Sequence, residues 1–312
     1  MANRERDPPE WQSDIDRSVV DYDEWYLAES PAMFAHARER ALSEVEEAMR
    51  ATDDFRAFDA EKLMARPGSL SVARMCVSPP MARDRFVGFS GANKSLVTAM
   101  ELKGVIPRKT RRIGVQLQVM CDFLRPLLDA EIFCWLQEDR SPSVSEREKA
   151  LLVVRERLAA ALYLPVLRNV QEAKQKELMR AYLEGEGFEE SLNLPFEMKP
   201  GTFGFGRNVP VLRADGKPQN LPVDCVVAPF NVELPLACIE LKSAGDFTNV
   251  NKRRKEESDK QEALRRTHGP RTVFLLQLFG YFGRTYLEFE AAAGIDWAWD
   301  HRLNDLTPYL GI

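Results

Sequence analysis

A chain of 312 residues with 45% hydrophobic and 29% charged residues can bury two cores, or one large elaborated core, and is not collagen-like, disulfide-dense or broadly disordered. Its longest apolar stretch, residues 272–282, is broken by Gln277 and Gly280 and falls short of the roughly 20 residues a membrane span needs. The net charge of −5 argues against an indiscriminate nucleic-acid coat, while leaving room for a specific binder that gathers its basic residues locally, as at 108–112 and 252–255. Five cysteines without a CxxC pair argue against a disulfide framework or zinc site and fit a reducing cytoplasm. Three histidines far apart argue against paired His–metal motifs and a Ser/His/Asp hydrolase.

The polar, proline-bearing start is no secretory signal, and the first dozen residues read as a loose tail. Apolar residues at helical spacing predict a helix over 33–49. Residues 84–104 then have a helix–turn–helix rhythm. A first helix stops at Ser90-Gly91, and a second presents Asn93, Lys94 and Ser95 near its start, where recognition helices touch bases. Further helices are predicted over 113–128 and, after the Ser141-Pro142-Ser143 break, over 146–164. Pro165 interrupts or kinks the chain before a helix at 167–183, which Gly185 and Gly187 stop. Beyond Gly187 the texture changes to short apolar runs at 192–198, 221–227, 235–243 and 271–281, which read as strands, with a charged helix at about 250–267 before the last. The fold class is therefore α/β (α+β): a mostly helical region, 1–145, with a DNA-recognition role as candidate, and a mixed sheet flanked by helices, 146–312.

The chemistry concentrates in two of those strands. A hairpin whose turn centres on Val232 places Asp224 directly across from Glu240, and directly opposed side chains lie about 5 Å apart on one sheet face. Lys242 shares that face through the period-two alternation of a strand. Two carboxylates suit a hard cation such as magnesium, with the Leu241 carbonyl as a further oxygen and Lys242 to orient a water or support its deprotonation. Glu-x-Lys alone carries little weight, since it recurs at Glu101–Lys103, Glu172–Lys174 and Glu197–Lys199. The copy at Glu240 differs by ending an apolar run and by having an aspartate at the matching position of the preceding strand.

Helix, three-strand meander, helix and strand, with Asp on the second strand and Glu-x-Lys on the third, resembles the PD-(D/E)xK nuclease core. Ser243-Ala-Gly-Asp-Phe-Thr-Asn-Val-Asn-Lys-Arg-Arg-Lys-Glu-Glu257 narrows the resemblance to the XamI-like family of type II restriction endonucleases, helped by Pro200-Gly-Thr-Phe-Gly-Phe205 and Gly294-Ile-Asp-Trp-Ala-Trp-Asp-His-Arg302. Val223 stands where the family pattern has proline before the aspartate, with Pro222 shifted by one. The resemblance implies hydrolysis of double-stranded DNA at a short palindrome, GTCGAC-like, leaving 5′-phosphates. It also implies a homodimer, a cognate DNA methyltransferase, no membrane, and magnesium (manganese as a substitute) held by Asp224, Glu240 and Leu241, with Lys242 serving the attacking water. An acid from the helix before the sheet, Glu177 or Glu172, is a further candidate. Asn249, Asn251, Lys252, Arg253 and Arg254 are candidate DNA contacts, because a basic cluster at a helix start is relieved by a docked phosphate. Two other readings are a repair or junction-resolving nuclease on the same core, and a non-catalytic helix–turn–helix regulator.

Overall fold

A computed structural model describes residues 2–191, 199–247, 254–269 and 271–312, without the side chains of residues 254 and 255. The strand expected at 192–198 and the candidates Asn249, Asn251, Lys252 and Arg253 lie outside the described residues, as does the side chain of Arg254. The chain forms two compact units, residues 30–167 and residues 1–29 with 168–312.

The first unit is helical. It contains α2 (Ala60–Ala65), α3 (Ser69–Met75), α4 (Arg83–Ser90), α5 (Lys94–Lys103) and α6 (Ile113–Leu124), with parts of α1 (Gln12–Ala51) and α7 (Val144–Gly185). Its core is built from Val45, Leu63, Leu70, Phe86, Val97, Leu117, Phe133, Trp135 and Val154.

The second unit is built on a six-stranded mixed sheet: β1 (Glu189–Glu190), β2 (Thr202–Leu212), β3 (Pro218–Ala228), β4 (Ala237–Ala244), β5 (Val273–Gly280) and β6 (Asp296–Trp299), in chain order across the sheet. β2–β3–β4 is an antiparallel meander, whereas β4–β5 and β5–β6 are parallel. Parallel neighbours need crossovers, supplied here by α8 (Arg254–His268) and α9 (Arg284–Ala292). One face packs Met179 and Leu183 of α7 on Cys225, Val227, Ile239 and Leu275. The other packs Leu264 of α8 and Leu287 of α9 on Val226, Cys238, Leu276 and Leu278. A strand covered on both faces has no polar side, hence the nearly unbroken apolar run of β5.

Three expectations need correction. Pro165 does not divide α7, which runs through it for 42 residues; one amide is lost, while Leu162, Tyr163 and Leu167 hold the segment against the helical core. Ser143 caps that helix. It accepts from the Glu146 amide at 3.3 Å, and its own amide donates to Glu146 at 2.7 Å, a reciprocal capping box. The Ser141-Pro142-Ser143 break thus leads directly into a helix start, as expected, and the compact units divide at 29/30 and 167/168. The first residues are no loose tail either. Trp11 is buried edge-on to Trp297, with centroids 5.2 Å apart, and the buried Asn3 donates to the Trp297 carbonyl at 2.8 Å. Finally, all of β2, α9 and β6 go beyond the expected elements.

Candidate active site

β3 pairs with β2 along nearly its whole length but with β4 only over Cys225↔Ile239, Val226↔Cys238 and Val227↔Ala237. That register centres the turn on residue 232, so Asp224 and Glu240 are the next opposed pair, at the point where the ladder stops. There the Leu241 amide donates to Asp224 Oδ2 at 2.9 Å, a side chain standing where a ladder carbonyl would otherwise accept. The β3–β4 ladder ends just before this pair.

Glu240 is 2% exposed. Its Oε2 meets Lys242 Nζ at 3.3 Å and Lys260 Nζ at 2.7 Å. Burial pushes its carboxyl above the usual range; Lys242 and Lys260 pull it back down, and neighbouring Asp224 adds to the rise. Its Oε1 is buried without a hydrogen-bond partner among the described residues. Lys242 Nζ also lies 3.6 Å from Oε1 of Glu257, which is fully buried and accepts from the Tyr286 hydroxyl at 2.9 Å on its other oxygen. Gln175 of α7 fixes the strand backbone here, its Nε2 donating to the Lys242 carbonyl at 3.2 Å.

Among the described residues no group of three or more His, Cys, Asp or Glu side chains is arranged to hold a metal ion. What the fold does bring together is a pair of carboxylates. The lone buried oxygen of Glu240 and the second oxygen of Asp224 fit a hard cation completed by carbonyl, water and phosphate oxygens.

Glu172 and Glu177 are not part of this group. Both are solvent-facing on α7, with side chains 51% and 71% exposed, and ion-pair with Lys176 and Arg180. The third acid near Lys242 is instead Glu257 of α8, which a charge-run reading takes as solvated. The signal was present: Glu257, Gln261 and Leu264 fall at i, i+4 and i+7, one helix face, and all three are buried. Lys260 was missed for the same reason.

In the helical unit, the expected helix–turn–helix residues lie on α4, Gly91 and α5. Gly91 takes φ +66°, and Asn93 caps α5 by accepting from the Leu96 amide at 3.0 Å. Lys94 pairs with Asp84 at 3.0 Å across the turn, both exposed. Asn93 thus has a structural role of its own.

The sequence model of the family described as XamI restriction endonuclease matches residues 53–299. The chain is also similar to the type II restriction enzyme SalI of Streptomyces albus G, 40% identical over 315 residues that cover 98% of each chain. No solved structure matches the chain.

Proposed function

The chain belongs to the XamI restriction endonuclease family and is a type II site-specific deoxyribonuclease, dependent as such enzymes are on a divalent metal; from that premise we propose that it uses magnesium, or manganese in its place, to cut a GTCGAC-like palindrome and leave 5′-phosphate ends. Asp224 and Glu240 would hold the cation, with the Leu241 carbonyl as a further ligand, and Lys242 would serve the attacking water. The observation that carries this reading is the buried Oε1 of Glu240, without a hydrogen-bond partner among the described residues, at the point where the β3–β4 ladder ends.

A divalent ion held there would supply Lewis-acid polarisation of the phosphodiester and a lowered pKa for water. The protein's own share is positional. The Leu241 amide fixes the Asp224 carboxylate, and the alternation of β4 sets Lys242 on the same face as Glu240, where its ammonium can donate to water aligned with the phosphorus. Glu257, itself held by Tyr286, keeps that ammonium from drifting into solvent.

A twofold palindrome calls for two active sites related by the same axis, so the working form is a homodimer. A cognate DNA methyltransferase protects the host sites, and the free thiols fit a reducing cytoplasm. Among the described residues no helix is long and apolar enough to cross a membrane. The second helix of the α4–α5 pair, with Lys94 and Ser95 in its first turn, is the candidate for base contact in the helical unit.

The test is to digest a sequenced plasmid with purified protein and magnesium and map the ends. Discrete fragments terminating at one palindrome with 5′-phosphates are expected. Cutting that depends on free ends or branches would overturn the site-specific reading in favour of a repair or junction-resolving nuclease.

A further inference from the structure

We propose that Lys260 of α8 is a working member of the active site: in the DNA-free protein its ammonium neutralises Glu240 and competes with the divalent cation for that carboxylate, and once the cation takes Glu240 the amine passes to the scissile phosphate. The proposal rests on Glu240 being a metal ligand.

Three observations support it. Lys260 Nζ is the nearer of the two amines on Glu240 Oε2, 2.7 Å against 3.3 Å for Lys242. The same nitrogen lies 3.5 Å from the carbonyl of Pro222, two residues before Asp224, so it reaches from β4 to β3 at the place where their ladder ends. Third, its side chain is 23% exposed, whereas Glu240 is nearly sealed and Lys242 is 14% exposed. Lys260 is the member of the group that can leave without stranding a charge.

The charge count points the same way. Glu257 and Lys260 are three apart on α8 and therefore neighbours on its surface. The ion pairs run in alternating sign from one to the other: Glu257, Lys242, Glu240, Lys260. With Asp224 the site holds three carboxylates and two ammoniums, one negative charge in all. A divalent ion turns that into one positive charge, which a phosphodiester then cancels. A site that must give up its resident counter-ion to the cation is left with an amine close to the incoming phosphate, a group that ammoniums bind readily.

The experiment titrates Mn2+ into the DNA-free protein, following the free ion by electron paramagnetic resonance, for the wild type, Lys260→Met, Lys260→Arg and Glu240→Gln. Single-turnover cleavage at saturating magnesium is measured in parallel. Lys260→Met should bind Mn2+ roughly fivefold more tightly, since one positive charge beside the ligand is gone, yet cleave roughly a hundredfold more slowly. Lys260→Arg, which keeps the charge, should bind Mn2+ like the wild type. Unchanged or weaker Mn2+ affinity in Lys260→Met, with a wild-type melting curve, overturns the competition; wild-type cleavage overturns the phosphate contact. Lys260→Gln gives the same readings should the methionine variant not fold. Wild-type Mn2+ binding by Glu240→Gln would instead remove the assignment of Glu240 and leave the role of Lys260 without a premise.

Discussion

The tripeptide Glu-Leu-Lys occurs twice, at Glu101-Leu102-Lys103 in the helical unit and at Glu240-Leu241-Lys242 in the sheet unit, and in both the glutamate is buried among cations. On α5 the helical turn carries Lys103 away to solvent, and Glu101 is claimed completely. Arg74 grips it with two bonds, at 2.5 and 2.8 Å, and Arg83 adds a third at 2.6 Å. On β4 the period of two keeps Lys242 beside Glu240, and among the described residues one oxygen of the carboxylate has no hydrogen-bond partner. Saturation marks a carboxylate used to hold the protein together; an incomplete shell in an equally dry place marks one that waits for a ligand.

The comparison breaks first on cleavage. Asp224→Ala and Glu240→Ala should each lower the single-turnover rate by about a thousandfold or more while the protein keeps its circular dichroism spectrum, with Glu101→Ala unaffected at temperatures where it is folded. Near-normal cutting by either of the first two would remove the assignment. Next comes stability. Glu101→Gln leaves Arg74 buried with its carboxylate gone and should cost about 3–5 kcal/mol in denaturant unfolding. Glu240→Gln removes a charge that burial disfavours and frees Lys260 to reach water while Lys242 keeps Glu257, so the metal-free protein should melt no lower than the wild type. A loss in Glu240→Gln as large as that in Glu101→Gln would make the two sites alike. The smallest effect sharpens the contrast: a divalent ion at a hundred times its dissociation constant should stabilise the wild type by about 2.7 kcal/mol through linkage, seen as a raised melting temperature, and should not move Glu240→Gln.

Much of this site is legible in the sequence, and the reason is geometric. A tight meander fixes its own register, so a turn centre at Val232 was enough to set Asp224 against Glu240, and the observed pairs share that centre. The overall class was legible as well, because texture changes from helical to strand-like spacing after Gly187. What escaped was tertiary. β2 contains Gly204, Gly206 and Pro210, residues that speak against a strand until its neighbour β3 is present to pair with them. Pro165 breaks an isolated helix, yet not one pinned by a core on its apolar side. Glu257 and Lys260 sit in a stretch so charged that composition alone assigns it to water. Only Leu264 at the end of the same face shows which way that face turns. Glu172 and Glu177, acidic residues on the helix before the sheet, are exposed and paired with Lys176 and Arg180.

The bond from the Leu241 amide to Asp224 also bears on how an inert form of the enzyme should be made. A carboxamide has the outline of a carboxylate and can still accept that amide proton through its oxygen, so Asp224→Asn should keep the strands as they are while weakening the hold on a cation. Alanine at the same position deletes the acceptor and lets the strand ends relax. Complexes meant to capture uncut DNA in its working pose are therefore better sought with the asparagine form.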